Sequence, residues 1–196
     1  MQKVNLFWFR RDLRLDDNAG LYHALKKGIP VLPIFIFDKN ILDKLEDKKD
    51  ARAEFIHQAI LNLNEQLKEL GSSIKVFYST PEKVFKNLAK EYAVQSVYTN
   101  HDYEPYADER DASVKDFLIK NKIEFKTYKD QCIFEKDEVT KDDGKPYTVF
   151  TPYSRKWKLK MNDFYVKPYP NKKYFKNFIQ TSALIIPTLK EIGFEK

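Results

Sequence analysis

Along this chain, short apolar runs alternate with longer stretches in which apolar residues recur every three or four positions. The short runs are typical of buried parallel strands, which read as continuous apolar segments, and the longer stretches are typical of amphipathic helices. We predict strands at residues 4–9, 34–37, 74–78, 96–99 and 123–128. We predict helices at residues 19–27, at 50–70, from Thr80 onward and at 107–120.

Glycine and proline residues set several of these boundaries. Gly28 and Gly71 follow the first two helices, where glycine favours termination. Thr80-Pro81 is typical of a helix start, with threonine as the cap and proline in the first turn. Pro33 has no backbone N–H to donate to a neighbouring strand, so we start the second strand after it.

The order of these elements predicts the fold class. Strand and helix alternate four times and a fifth strand follows, which indicates an α/β fold: a doubly wound, Rossmann-like, five-stranded parallel sheet with helices on both faces. After Tyr128 the alternation stops, and only residues 151–162 are predicted as a short helix. We therefore divide the chain into an α/β domain at residues 1–130 and an irregular C-terminal connector at residues 131–196.

The basic excess of the chain lies in the connector. The net charge is +6, and residues 151–196 hold 10 Lys or Arg against 3 Asp or Glu, with aromatic residues interleaved. A basic, aromatic segment can follow phosphates and stack on bases. It can equally be a docking arm that buries its aromatic side chains against another domain. We favour docking.

Several classes of protein do not fit the composition. No apolar stretch reaches the roughly 18 residues of a membrane span, and the N-terminus lacks a signal-peptide pattern. The single cysteine, Cys132, excludes an intrachain disulfide framework, and it is expected to be a small core residue. With only three scattered histidines, no metal site is expected. We expect a cytoplasmic protein, monomeric and without a membrane partner.

Familiar phosphate-binding and nucleophile motifs are missing. No G-x-G-x-x-G follows the first strand, no G-x-x-x-x-G-K-S/T occurs, and there is no G-x-S-x-G. These absences weaken the dinucleotide, P-loop and α/β-hydrolase interpretations. No pair of a nucleophile and a base stands out, so the chain itself shows no catalytic residues.

Charged residues instead follow the ends of predicted strands. Arg10 and Arg11 follow the first strand, Asp38 ends the second, and Asp102 follows the fourth. The carboxyl ends of parallel strands share one edge, where ligands bind in open α/β sheets. Arg52, in the first turn of the long helix, could lean over the same edge. Taken singly, these residues are also typical of caps and turns. Together they predict a polar-mouthed cleft with aromatic walls, suited to a flat, partly charged ligand.

Three segments resemble one known family. They are Trp8-Phe9-Arg10-Arg11-Asp12-Leu13-Arg14-Leu15-Asp16-Asp17-Asn18, the stretch from Asn100 to Asp111 containing Asp102-Tyr103-Glu104-Pro105-Tyr106, and Pro146-Tyr147-Thr148-Val149-Phe150-Thr151-Pro152-Tyr153. In order and spacing they resemble the DNA photolyase/cryptochrome family, and most of all the bacterial class I enzymes that repair cyclobutane pyrimidine dimers. The resemblance covers essentially the whole chain.

The resemblance implies a specific role. Family members join an N-terminal α/β domain, through a long connector, to a helical domain that holds FAD and binds damaged DNA. The parent would be a deoxyribodipyrimidine photolyase, a carbon–carbon lyase. This chain would be its antenna-chromophore domain with most of the connector, partnered by the C-terminal FAD domain. We expect the chain alone to be inactive in repair because the FAD domain is missing.

The resemblance also places the site residues. Phe37, Asp38, Arg52 and Asp102 lie where antenna contacts fall in deazaflavin-type members, and Arg10 or Arg11 borders that pocket. Folate-type members carry an Asn-Glu pair where this chain has Tyr106-Ala107. That departure favours a deazaflavin or flavin over a folate.

Two alternatives remain open at this point. A cryptochrome photoreceptor would have nearly the same N-terminal half, although the Asp-Tyr-Glu-Pro-Tyr loop leans toward repair enzymes. A stand-alone nucleotide-binding module of the same architecture would need a glycine-rich phosphate loop after the fourth strand. Here Asp102-Tyr103-Glu104 stands in that place, and its carboxylates would repel phosphate.

Overall fold

A computed structural model describes all residues from Met1 to Lys196 and confirms the predicted fold class. Five parallel strands form one sheet in the order β3-β2-β1-β4-β5. The strands are β1 Lys3–Phe9, β2 Val31–Asp38, β3 Lys75–Ser79, β4 Ala93–Asn100 and β5 Glu124–Tyr128. The helices are α1 Ala19–Lys26, α2 Lys39–Leu42, α3 Ala51–Glu69, α4 Pro81–Glu91, α5 Pro105–Lys120, α6 Phe150–Lys160 and α7 Asp163–Val166. Short 3-10 turns occupy Lys136–Glu138 and Asn171–Asn177.

Each face of the sheet carries its own hydrophobic core. In β1, Phe7 and Phe9 point to one core, whereas Leu6 and Trp8 point to the other, as the two-residue period of a strand requires. The first core contains residues of α1 and α3, and the second contains residues of α4 and α5. The sheet is therefore covered on both faces, which explains why the central strands β1 and β2 are buried along nearly their whole length.

The prediction that β2 starts after Pro33 is wrong. β2 begins at Val31, and Pro33 lies opposite Phe7 of β1. The carbonyl of Val31 accepts a hydrogen bond from Ile179 on the side of β2 that faces β3. Backbone groups alternate sides along a strand, so the backbone nitrogen of Pro33, two residues after Val31, faces that same side. Since β3 begins opposite Ile34, no ladder hydrogen bond requires the N–H that Pro33 lacks.

The connector packs back onto the α/β layer more closely than its irregular sequence indicates. Phe178, Ile192 and Phe194 are buried in the same core as α1 and α3. The helix predicted at 151–162 forms as α6, and none of its residues is buried. Cys132 is exposed, so its assignment to the core is wrong. It follows β5 in a loop, where its thiol lies 3.5 Å from the hydroxyl of Tyr103.

Candidate functional site

A cleft of about 190 Å³ lies at the carboxyl edge of the sheet, where β1 and β2 end. Most of its lining is apolar and aromatic, and a group of charged side chains completes it. The apolar part includes Trp8, Phe9, Phe35, Phe37, Ala53 and Ile56, and the charged part is Arg10, Arg11, Asp38, Asp102 and Arg110. A flat aromatic ligand with polar edges is the chemistry that such a lining suits.

The cleft brings together most of the residues predicted from the sequence. Arg10, Arg11, Phe37, Asp38 and Asp102 all line it, although they come from three separate segments of the chain. The fold therefore joins these strand ends at one edge, as the parallel topology requires. Their part in binding a ligand stays a prediction.

Arg52 is the predicted site residue that does not line the cleft. It follows the N-cap of α3, next to the cleft residue Ala53, and its guanidinium binds the cap itself, Asp50. Arg52 Nη2 lies 2.6 Å from Asp50 Oδ2, and Nε lies 3.0 Å from Oδ1. Hydrogen bonds from the side chain and the backbone of Arg52 hold the pKa of Asp50 at about 2. The Arg52 side chain otherwise stays in solvent, 76% exposed.

Asp111 of α5 joins two of the cleft arginines. Its Oδ2 lies 2.8 Å from Arg10 Nη1, and its Oδ1 accepts hydrogen bonds from Arg10 Nη2 at 2.9 Å and from Arg110 Nε at 3.1 Å. Burial lowers the pKa of Arg10, and the charge of Asp111 opposes that shift. A carboxylate shared in this way fixes two planar cations as oriented hydrogen-bond donors.

The sequence analysis missed Arg110 and Tyr106 as site residues. Both lie on α5 and are four residues apart, so they share one face of that helix. The Tyr106 hydroxyl donates to Asp38 Oδ2 at 2.6 Å. Burial, and then this hydrogen bond, raise the pKa of Tyr106 to about 12. The four-residue spacing indicates that the two side chains share a helix face, but which way that face points depends on how α5 packs.

Three buried guanidinium nitrogens at the cleft make no hydrogen bond: Nε and Nη1 of Arg10 and Nη2 of Arg110. Of these, Arg10 Nη1 is ion-paired with Asp111 at 2.8 Å, and Arg110 Nη2 lies 3.9 Å from Asp102. The side chains that carry them are 7% and 10% exposed. Buried donors are nearly always satisfied, so these guanidiniums are exceptions, and both belong to residues that line the cleft.

The loop after β1 is held in place by a buried polar network centred on Asp12. One carboxylate oxygen accepts from the backbone N–H of Arg10 at 2.8 Å, and the other accepts from Asn18 Nδ2 at 3.0 Å and from Asn100 Nδ2 at 2.5 Å. Asn100 Oδ1 in turn accepts from the backbone of Gly20. The network ties the end of β4 to the loop that carries Arg10 and Arg11, so it positions one side of the cleft.

No group of three or more histidine, cysteine, aspartate or glutamate side chains is arranged to hold a metal ion. None of the helices combines the length and the apolar character that crossing a membrane requires.

Comparison with known proteins places the chain in a family. A family model described as DNA photolyase matches residues 5–173. A deoxyribodipyrimidine photo-lyase of Synechococcus is 30% identical over 97% of this chain and 40% of its own length. Cryptochrome-2 of Arabidopsis thaliana is 31% identical over 79% of this chain and 25% of its own length.

A solved structure agrees. The archaeal photolyase from Sulfolobus tokodaii, described as containing two FAD molecules with the implication of a novel light-harvesting cofactor, matches with a TM-score of 0.68 and 32% identity. The match covers 81% of this chain and 36% of that one. This chain thus spans 40% or less of the length of these relatives. With the family model matching most of its residues and the fold matching a solved photolyase, the chain belongs to the DNA photolyase family.

Proposed function

We propose that this chain is the antenna-chromophore domain of a light-dependent photolyase that splits cyclobutane pyrimidine dimers in its full-length form. The observation that carries the proposal is the cleft. It combines aromatic walls with two buried guanidiniums, Arg10 and Arg110, that each keep a donor without a partner. This is a binding site for a flat ring with acceptor atoms at its edge. Family membership supplies the light-dependent context.

A deazaflavin or a flavin is the proposed pigment, rather than a folate. Tyr106 and Ala107 stand where folate-type members have an Asn-Glu pair, and the Tyr106 hydroxyl is engaged by Asp38. A relative described as holding two FAD molecules supports a flavin in this family. FAD of the repair reaction itself is assigned to the longer parent protein.

Each part of the cleft has a separate task in this proposal. The bound pigment supplies absorption of light and transfer of its excitation energy. Trp8 and Phe37 confine the plane of the ring and exclude water. The buried guanidiniums of Arg10 and Arg110 place positive charge beside the acceptor edge of the ring. Asp102, 3.9 Å from Arg110 and 3.7 Å from Arg11, accepts a ring N–H and holds both arginines toward the cleft.

Pigment uptake is the direct test. The chain is incubated separately with FMN, an 8-hydroxy-5-deazaflavin and a folate, each is removed by desalting, and the absorption spectrum of the protein is recorded. We expect a flavin or the deazaflavin to be retained with a shifted band, and the folate to wash out. Retention of folate alone contradicts the choice of pigment, and retention of none contradicts the antenna site in this chain.

Arg52 gives a second, smaller expectation. We propose that, when the pigment binds, Arg52 leaves Asp50 and covers the exposed face of the pigment. Arg52→Ala then weakens retention. Equal retention by Arg52→Ala and by the unaltered chain shows that Arg52 stays with the helix cap and removes it from the site.

Repair by these 196 residues alone is not expected. The chain spans 40% of the length of the related Synechococcus photolyase, and the FAD domain and damaged-DNA pocket are proposed to lie in the remainder. Under blue light, the chain is expected to leave a dimer-containing oligonucleotide unrepaired, whereas a full-length photolyase under the same illumination repairs it. Dimer loss with the chain alone contradicts the proposal. The proposed partners are the FAD domain of the same protein and damaged DNA, and the proposed setting is a cytoplasmic monomer.

A cryptochrome is the second candidate function, and the observation that favours it is the 31% identity to Cryptochrome-2. The full-length parent, expressed in a repair-deficient cell, separates the two. Light-dependent survival after ultraviolet damage supports the photolyase, and absence of rescue by a folded, FAD-loaded parent supports the photoreceptor.

A further inference from the structure

We propose that Arg10 and Arg110 protect the excitation of a pigment in the cleft by making Trp8 a poor electron donor. This inference rests on the proposed function, since it concerns the pigment that the cleft would hold. It adds a role for the two arginines that is separate from binding: they suppress a competing oxidation of Trp8.

The geometry of Trp8 is the basis for the proposal. Its indole lines the cleft and is otherwise buried, 2% exposed, with its ring edge-to-face against Phe85. The guanidinium carbon of Arg10 lies 4.2 Å from the ring centroid, and that of Arg110 lies 4.9 Å away. Two cations over one buried indole are more than its packing requires.

The indole is the side chain that an excited flavin or deazaflavin oxidises most readily. In that reaction one electron passes from the Trp8 ring to the excited pigment, which leaves an indole radical cation and a pigment reduced by one electron. The electron then returns and the energy is lost as heat. An unprotected tryptophan in the lining would therefore quench the antenna.

The two guanidiniums oppose this reaction through their charge. A cation over an aromatic face is attracted to the neutral ring. The same cation repels the positive charge that oxidation would create, and it does so strongly because the site is largely shielded from water. Asp111 binds both arginines and Asp102 lies 3.9 Å from Arg110, so the two carboxylates offset part of the cationic charge. The guanidiniums are nevertheless the charged groups that lie over the ring. The oxidation potential of Trp8 is therefore raised.

Arg110 is the residue to replace, because Arg10 is fixed in two contacts with Asp111. With FMN as the probe, we expect Arg110→Gln to shorten the fluorescence lifetime of the bound flavin by about threefold or more, since one nearby charge is lost. Arg110→Lys retains the charge and is expected to restore most of the lifetime. The double variant Arg110→Gln, Trp8→Phe lacks the donor and is expected to regain the full lifetime.

Failure of the inference and failure of the antenna proposal are distinguishable. Retained FMN with equal lifetimes in the unaltered chain and in Arg110→Gln overturns the inference and leaves the binding proposal intact. If no FMN is retained, the one-electron oxidation potential of Trp8 is measured by pulse radiolysis in pigment-free protein carrying Trp157→Phe, which leaves Trp8 as the only tryptophan. A lower potential in Arg110→Gln supports the inference, and an unchanged potential overturns it.

Discussion

Asp12→Ala is expected to lower the free energy of unfolding by about 3 kcal/mol, because it removes the shared acceptor of a buried network. Asp12 is 5% exposed and accepts from the backbone of Arg10 and from the side chains of Asn18 and Asn100. In the variant, Asn18 Nδ2 can still donate to the backbone carbonyl of residue 12, and Asn100 Nδ2 can still donate to Asn18 Oδ1. The backbone N–H of Arg10 is left without an acceptor. A loss of this size is a large part of the roughly 5–15 kcal/mol that stabilises a typical domain.

Chemical denaturation with urea measures the effect, and Asp16→Ala is the matched control. Asp16 is in the same loop, is largely exposed and pairs with Lys172 at 3.2 Å, so its loss is expected to change stability by no more than about 0.5 kcal/mol. The transition midpoint should fall for Asp12→Ala with an unchanged slope. Equal midpoints for the two variants would show that the Asp12 network does not stabilise the fold.

Most of the fold could be predicted because its signals are local. The central strands β1 and β2 are largely apolar runs, and α3 shows its apolar stripe and its terminal Gly71 within a single stretch of sequence. Whether Pro33 is tolerated in β2 depends on where a neighbouring strand, β3, begins. That information is not contained in the residues around Pro33.

The connector was harder to predict for the same physical reason. The buried residues of the connector show no periodic pattern. Phe178, Ile192 and Phe194 each pack singly into the core shared with α1 and α3, and they do not form one face of a regular helix or strand. Burial of isolated apolar residues is decided by long-range packing. The expectation of a core position for Cys132 rests on its residue type and the apolar segment beside it, and its exposed place in a loop after β5 contradicts that expectation.

The candidate site divides along the same line. Residues at strand ends could be predicted to converge, because parallel topology alone brings Arg10, Asp38 and Asp102 to one edge. The position of Arg110 at the cleft could not be predicted in this way, because the direction of its side chain depends on how α5 packs beside Trp8. Arg52 is expected from the sequence to lean over the cleft, but its side chain pairs with Asp50 and lies outside it, and a list of strand ends does not reveal that local pairing.

Asp102→Asn is expected to weaken pigment binding by about tenfold, which corresponds to about 1.4 kcal/mol. The Asp102 side chain is 8% exposed, lines the cleft and lies 3.7 Å from Arg11 and 3.9 Å from Arg110. Asparagine keeps its shape but not its charge. The variant therefore loses a charged acceptor for a ring N–H and no longer holds the two guanidiniums toward the ligand.

Fluorescence titration with the pigment that the unaltered chain retains measures this change as a ratio of dissociation constants. Asp108→Asn is the control, since Asp108 is an exposed carboxylate in the first turn of α5 that does not line the cleft. It removes the same charge from the same region, so equal weakening by both variants would indicate a general electrostatic effect and not a contact of Asp102. Unchanged binding in Asp102→Asn would remove that residue from the site. A tenfold loss confined to Asp102→Asn, with thermal stability close to that of the control, ties affinity to the one carboxylate that lies between Arg11 and Arg110.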